Sequence, residues 1–126
     1  MIPIELLAVC VGGALGAVLR FWITLFGARV APNLKIPLPT LFINLSGSAA
    51  LGGLYALIQP PLDAPIQDLT LVMWGVGFCG AYTTFSSFCT ETIALLKSSR
   101  PLAVGYLILT LGGSILAFWA ALSLAS

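Results

Sequence analysis

Four long apolar segments alternate with short links along this chain. A transmembrane helix needs about 20 mostly apolar residues. The segments at about residues 4–26, 40–58, 69–96 and 102–124 are each long and apolar enough. The links hold prolines and the segments do not, as is typical where helices end. The pattern predicts an all-α membrane protein with four transmembrane helices in one domain, residues 1–126.

Composition narrows the class of protein further. The chain is 60% hydrophobic and only 7% charged, whereas a soluble domain is typically about 25% charged. A net charge of +1 without a basic cluster argues against a nucleic-acid partner. Because the sequence has no histidine and no evident nucleophile–base pair or metal-ligand cluster, it does not indicate an enzyme. Cys10, Cys79 and Cys89 lie in apolar segments and are predicted to be free thiols.

Polar side chains recur at helical spacing on three of the predicted helices. Two sets at i, i+4, i+8 each share one helix face, Thr40, Asn44 and Ser48 on the second helix and Tyr106, Thr110 and Ser114 on the fourth. On the third helix, Phe85, Phe88 and Glu91 share a face if the backbone there is helical. Hydrogen bonds between helices would explain any one set alone. Three sets together, one of which ends in a carboxylate, favour a polar track through the membrane.

The stretch GFCGAYTTFSSFCTE, residues 77–91, carries hydroxyl groups in an otherwise apolar segment. Gly77 and Gly80 weaken a helix, and hydroxyls from Thr83 onward can satisfy freed backbone groups. Non-helical backbone is tolerated inside a membrane only where it is buried in protein or lines a cavity. We therefore predict a break in the third helix near Gly77–Thr84, with carbonyl oxygens suited to a small hard cation.

Two further features concern charge and packing. Arg20 and Glu91 each have two interpretations, which are snorkelling to the membrane interface or a role in an aqueous pathway. For Arg20 the second role is an anion-attracting charge in a vestibule.

Small residues four apart, Gly12 with Gly16 and Ser48 with Gly52, are typical of closely packed membrane helices.

Three stretches together resemble one family. GGALGAVLR at residues 12–20, PTLFIN at 39–44 and GFCGAYTTFSSF at 77–88 are similar to signatures of the Fluc (CrcB-type) fluoride channels. The resemblance covers three of the four predicted helices in the family's order. Ala81 departs from the pattern, because the family commonly has a second consecutive glycine there.

The resemblance implies an antiparallel, dual-topology dimer of four-helix subunits with two fluoride pores and a central structural sodium ion. It implies passive export of fluoride across a bacterial inner (plasma) membrane. The family's sodium-binding carbonyls match Gly80 and Thr83, and its vestibule arginine matches Arg20. Its ion-pathway residues match Asn44, Phe85, Phe88, Tyr106, Thr110 and Ser114, with Thr40 and Glu91 beside them.

Physical chemistry is compatible with these roles. Aromatic rings have a positive edge that can face an anion, and hydroxyl and amide groups can donate hydrogen bonds to fluoride. A carboxylate beside an anion pathway is unfavourable. Glu91 is therefore expected to be protonated, or to act through neighbouring hydroxyls, when fluoride passes.

The charge distribution conflicts with an antiparallel homodimer. Links at one side of the membrane carry Arg29, Lys35, Lys97 and Arg100, whereas the other side carries Glu5, Asp63 and Asp68 and no basic residue. The positive-inside rule would then fix a single orientation with both termini outside. The alternatives are an antiparallel homodimer and a heterodimer with an oppositely inserted paralogue.

Two other functions compete with a channel. A small proton-coupled exporter of hydrophobic cations (a multidrug exporter) would need an embedded carboxylate in the first helix, where this chain has Arg20 instead. Glu91 keeps that alternative open. A structural subunit of a larger membrane complex would tolerate substitution of Asn44, Phe85 and Phe88.

Overall fold

The computed structural model describes residues 3–30, 32–60 and 68–125, and that part of the chain is helical without a β-strand. The third helix is interrupted, and its first part is a π-helix, Leu71–Cys79, that continues as one α-helical turn, Gly80–Tyr82. We call residues 71–82 together α3. The other helices are α1, Ile4–Val30; α2, Leu38–Ile58; α4, Phe85–Ser98; and α5, Arg100–Ala125.

The chain has the architecture of a multi-pass membrane protein. α1, α2 and α5 are each long and apolar enough to cross a membrane. α3 and α4 occupy the segment expected as the remaining helix, with a short non-helical step between them. α1 packs mainly against α3, and α2 packs mainly against α5. The bundle is therefore built mainly of two tightly packed helix pairs, with α4 packed against α5.

Several helices extend beyond their predicted ends. α1 continues to Val30, and only Ser99 separates α4 from α5.

The expectation that all prolines lie in the links is wrong for Pro39 and Pro101, which each occupy the second position of a helix. A proline is compatible with a first turn because the N–H groups there have no partner within the helix.

The break lies at the far end of the predicted range. Gly77 and Gly80 are both helical, whereas Thr83 (ψ 161°) and Thr84 (φ −148°, ψ 119°) are extended. The prediction of a break near Gly77–Thr84 is confirmed at Thr83 and Thr84 and wrong for the glycines. Gly77 instead provides space, because a Cβ there would approach the carbonyl oxygen of Val9 in α1.

Glycines allow α1 and α3 to touch backbone to backbone. A Cβ at Gly12 would overlap the carbonyl oxygen of Met73, and one at Gly16 would overlap the carbonyl oxygen of Phe78. Gly52 similarly faces the backbone of Phe118 in α5. The close packing predicted from the small-residue spacings is confirmed for these helix pairs.

The basic residues gather at one end of the bundle. Ile36, in the link before α2, packs on the same apolar cluster as Leu95 and Leu102. The link before α2 and the junction of α4 with α5 therefore lie side by side, and they carry Lys35 and the Lys97–Arg100 segment. α1 also ends there, with Arg29 in its last turn. Asp63 lies outside the described residues.

We predict that Gly16→Ala destabilises the protein by about 1–3 kcal/mol, because the added methyl must push α1 away from the backbone of α3. Gly105→Ala is the matched control, since its Cβ would meet nothing within 4 Å among the described residues. Thermal unfolding in detergent measures both variants. Equal melting temperatures for the two variants would contradict the close-packing assignment.

Candidate functional site

The helix break is held by a side-chain amide from α2. In a continuous helix the Thr84 amide would donate to the carbonyl of Gly80. It donates instead to Asn44 Oδ1 at 2.8 Å, and Asn44 Nδ2 donates to the Thr84 carbonyl at 3.0 Å. Both residues are buried, so the exchange replaces backbone hydrogen bonds that water cannot supply. Asn44 therefore acts directly on the backbone of the break.

Hydroxyl groups complete the capping of both helix ends. Thr83 Oγ1 donates to the Cys79 carbonyl at 2.9 Å. Thr84 is the N-cap of α4, and its hydroxyl accepts a hydrogen bond from the Ser87 amide. The prediction that hydroxyls satisfy freed backbone groups at the break is confirmed for Thr84, whereas the Cys79 carbonyl bonded by Thr83 Oγ1 also accepts from the Thr83 amide at 3.0 Å.

Arg20 points towards the break. Its Nη1 donates to the carbonyl oxygen of Thr83 at 3.3 Å. The guanidinium therefore reaches from α1 into the bundle, which differs from the snorkelling interpretation. It also lines a cavity of about 340 Å³ that includes Thr84 and Glu91. An arginine in that position gives the cavity a fixed positive charge close to the interrupted backbone.

Glu91 joins three helices through its two carboxyl oxygens. Thr40 on α2 donates to Oε1 at 2.8 Å, and Tyr106 on α5 donates to Oε2 at 2.7 Å. Thr40 and Tyr106 are fully buried, while Glu91 is half-buried at the edge of the cavity that it shares with Arg20. Hydrogen bonds to a carboxylate are stronger than those between neutral groups. Glu91 thus orients both hydroxyls away from any other acceptor.

Two phenylalanines and a tyrosine form a row of rings beside these groups. The Phe85 and Phe88 ring centroids are 5.7 Å apart, and those of Phe88 and Tyr106 are 5.6 Å apart. Phe88 is buried, whereas Phe85 is 70% exposed on the single chain. Phe85 therefore presents a large apolar ring to whatever surrounds the subunit.

A small cavity gathers the polar residues of α2 and α5 at the break. Its volume is about 210 Å³, and its lining includes Asn44, Ser48, Thr84, Phe85, Phe88, Thr110 and Ser114. Neither Thr110 Oγ1 nor Ser114 Oγ, both buried, has a hydrogen-bond partner among the described residues. A buried hydroxyl without a partner costs roughly 1–3 kcal/mol. These two hydroxyls are therefore suited to a ligand in the cavity.

The predicted cation-binding residues both line a second cavity, and Thr83 also lines the small cavity at the break. Gly80 and Thr83 both line a half-open space of about 320 Å³. Gly80 is exposed, and a Cβ there would meet nothing within 4 Å in the part of the chain that the structure describes. In the described part of the chain, no group of three or more His, Cys, Asp or Glu residues could hold a metal. A cation at this position would depend on carbonyl oxygens.

One polar contact of the break was not anticipated from the sequence. The Tyr82 hydroxyl and Ser46 Oγ are 2.9 Å apart, which connects the last turn of α3 to α2. Tyr82 also stacks on Phe78, which in turn contacts Trp74 edge-on. The spacing of these three aromatics, four residues apart on one helix face, is the signal that could have indicated this row.

Comparison with known proteins identifies relatives over nearly the whole chain. The model of the CrcB-like protein, Camphor Resistance (CrcB) family matches residues 7–122. A Gloeobacter violaceus protein named fluoride-specific ion channel FluC is 41% identical over 117 residues, which are 92% of this chain and 91% of that protein. A Pseudomonas fluorescens protein of the same name is 40% identical and is covered over 98% of both chains.

A third bacterial relative carries a numbered name. The Bacillus licheniformis protein named fluoride-specific ion channel FluC 2 is 40% identical over 104 residues, which are 82% of this chain and 74% of that protein. The resemblance seen in the three sequence stretches is therefore confirmed. Since the family model covers more than half of the chain, this multi-pass membrane protein belongs to the CrcB-like family.

Proposed function

We propose that the protein is a passive, fluoride-selective channel through which fluoride leaves the cell. The names of its relatives support this function. The observation that carries it is the small cavity at the break, where the unpartnered hydroxyls of Thr110 and Ser114 face the same space as Asn44 and two phenylalanines. That lining combines hydrogen-bond donors with apolar rings, as a dehydrated small anion requires.

Each lining group has a distinct part in the proposed mechanism. Thr110 and Ser114 donate hydrogen bonds to fluoride, and Asn44 keeps a second N–H for the anion while the first holds Thr84. Phe85 and Phe88 offer positive ring edges and exclude water. Chloride is larger and accepts hydrogen bonds more weakly than fluoride. Its hydrogen bonds with these donors therefore replace less of the hydration free energy that is lost when the anion enters the cavity.

Glu91 controls whether two further hydroxyls are available to the anion. With Glu91 ionised, Thr40 and Tyr106 give their protons to the carboxylate. If Glu91 takes up a proton, its own O–H can donate to one of these hydroxyl oxygens, and that hydroxyl can turn its proton towards fluoride. Arg20, in the cavity shared with Glu91, attracts the anion to this end of the path.

The carbonyls near the break fit the sodium ion that the family resemblance implies. Carbonyl oxygens are ligands that hard cations accept. The Thr84 amide no longer bonds to the Gly80 carbonyl, and the Thr83 carbonyl keeps a second lone pair beside its bond to Arg20. A bound sodium ion would supply positive charge that offsets the cost of an anion at low dielectric. Its coordination would need a second subunit, because two carbonyls from one chain are too few.

A dimer with two pores is part of the proposal. The exposed Phe85 ring and the open cavity beside Gly80 are both features that a second subunit would cover. An antiparallel homodimer is the simpler assembly. The basic residues at one end of the bundle, and relatives named FluC 1 and FluC 2, support the heterodimer as the alternative.

The competing functions have less support. Among the described carboxylates, Glu5 begins α1, Asp68 precedes α3, and only Glu91 lies inside the bundle. Such an exporter of hydrophobic cations needs an embedded carboxylate in its first helix, whereas Glu91 lies on α4 and the charged residue that α1 directs into the bundle is Arg20. A structural subunit would not require unpartnered hydroxyls in a cavity.

We predict that liposomes containing only this purified protein release fluoride passively and retain chloride, as read with ion-selective electrodes. Fluoride release would show that one sequence suffices for the channel. Absence of release, both from this protein alone and after co-expression with an oppositely inserted paralogue, would contradict the proposed function.

Asn44→Asp should lower fluoride flux roughly 10- to 100-fold. The new carboxylate can still accept a hydrogen bond from the Thr84 backbone amide. It repels the Thr84 carbonyl, which loses the hydrogen bond from Asn44 Nδ2, and this loss destabilises the break by about 1–3 kcal/mol. Asn33→Asp, in an exposed turn, is the matched control for charge. The role assigned to Asn44 is wrong if the two variants conduct equally well.

Glu91→Gln should keep fluoride flux at the level of the protein with Glu91 protonated at every pH tested, because glutamine resembles the neutral acid and leaves one hydroxyl free for the anion. The glutamine keeps one accepting oxygen, so either Thr40 or Tyr106 loses its acceptor, and the side chain no longer titrates. Glu5→Gln, at the exposed start of α1, is the control. Flux should be measured across a pH series in the same liposomes. An unchanged flux and an unchanged pH profile would exclude a role for Glu91 protonation.

A further inference from the structure

An apolar groove lies between α1 and α2, away from the break. Its walls include Trp22, Phe26 and Val30 on α1, and Leu38 and Phe42 on α2. Its volume is about 570 Å³. From Trp22 to Val30 the groove follows α1 for about 12 Å, at 1.5 Å per residue. It is therefore an elongated apolar surface, which suits an extended hydrocarbon chain.

The groove is a fixed feature because the two helices touch at its base. Gly27 has no side chain, and a Cβ there would overlap the ring of Pro39. This contact fixes the spacing of α1 and α2 near their connected ends. The aromatic walls above it, Trp22 and Phe42, are both 58% exposed.

Two basic residues are close in sequence to the residues at one end of the groove. Arg29 lies three residues after Phe26 and seven after Trp22, so it shares their face of α1. Lys35 lies in the link just before Leu38, and both basic residues are exposed. The sequence from Arg29 to Leu38 contains no acidic residue. A ligand with an apolar chain and an anionic head would match this arrangement at both ends.

We propose that this groove binds an anionic phospholipid of the surrounding bilayer, with one acyl chain between α1 and α2 and the phosphate at Arg29 and Lys35. Basic pockets beside transmembrane helices are favourable sites for anionic headgroups. A neutral lipid could fill the groove but would leave the two cations without a partner. The site is separate from the proposed anion pathway and does not depend on it.

Tryptophan quenching by brominated lipids tests the proposal in neutral lipid nanodiscs. The Trp22 signal is the difference between the unmodified protein and Trp22→Phe, which leaves Trp74 and Trp119 in place. Brominated phosphatidylglycerol should quench Trp22 at lower mole fraction than brominated phosphatidylcholine with the same chains. One basic side chain near an anionic surface raises the affinity for an anionic lipid about fivefold. Arg29 and Lys35 together should therefore give a roughly 25-fold preference for phosphatidylglycerol over phosphatidylcholine.

A matched pair of double variants separates a site from general attraction. Arg29→Gln/Lys35→Gln should abolish the preference for phosphatidylglycerol. Lys97→Gln/Arg100→Gln removes the same charge from the same end of the bundle and should preserve the preference. Equal losses in both double variants would overturn the proposal, as would equal quenching by the two lipids. Absence of Trp22 quenching by either lipid would indicate that a second copy covers the groove, and would also overturn it.

Discussion

Asn44 exchanges two hydrogen bonds with Thr84, and this pair allows a helix to end and begin again inside the bundle. A buried amide or carbonyl without a partner costs roughly 1–3 kcal/mol, and lipid offers no substitute. One asparagine side chain satisfies one group of each kind. The extended backbone at Thr83 and Thr84, the capping of α4 and the position of Phe85 all depend on that exchange.

Charge is distributed around this break rather than along the helices. Arg20 approaches the Thr83 carbonyl, while Glu91 lines the same cavity as Arg20 and receives hydrogen bonds from hydroxyls of α2 and α5. A membrane-embedded charge is costly unless polar groups surround it. Here the freed backbone of one helix and the hydroxyls of two others provide those groups. Among the described residues, the buried hydroxyls of Thr110 and Ser114 have no hydrogen-bond partner, and they remain available as donors.

The sequence predicted the helical class, the helix order and close packing at Gly12 and Gly16, because apolar length and small-residue spacing are local signals, but it did not identify α3 as the partner of α1. It also predicted that Thr40, Glu91 and Tyr106 lie on polar faces, but periodicity alone cannot show that they meet. The break was located only approximately. Glycine suggested flexibility at Gly77, whereas packing against Val9 explains its presence. The hydrogen bonds of Asn44 to Thr84 join residues 40 positions apart, so no local pattern could reveal them.

The interruption also bears on how the chain is built during synthesis. α4 has 14 residues, which is about 21 Å of helix, and residues 71–82 are shorter still. Neither part alone matches a hydrocarbon core of about 30 Å. Asn44 precedes Thr84 in the chain, so α2 leaves the ribosome before the residues whose backbone it must satisfy. The order of the helices along the chain therefore ensures that a partner is already present when the broken segment arrives in the bilayer.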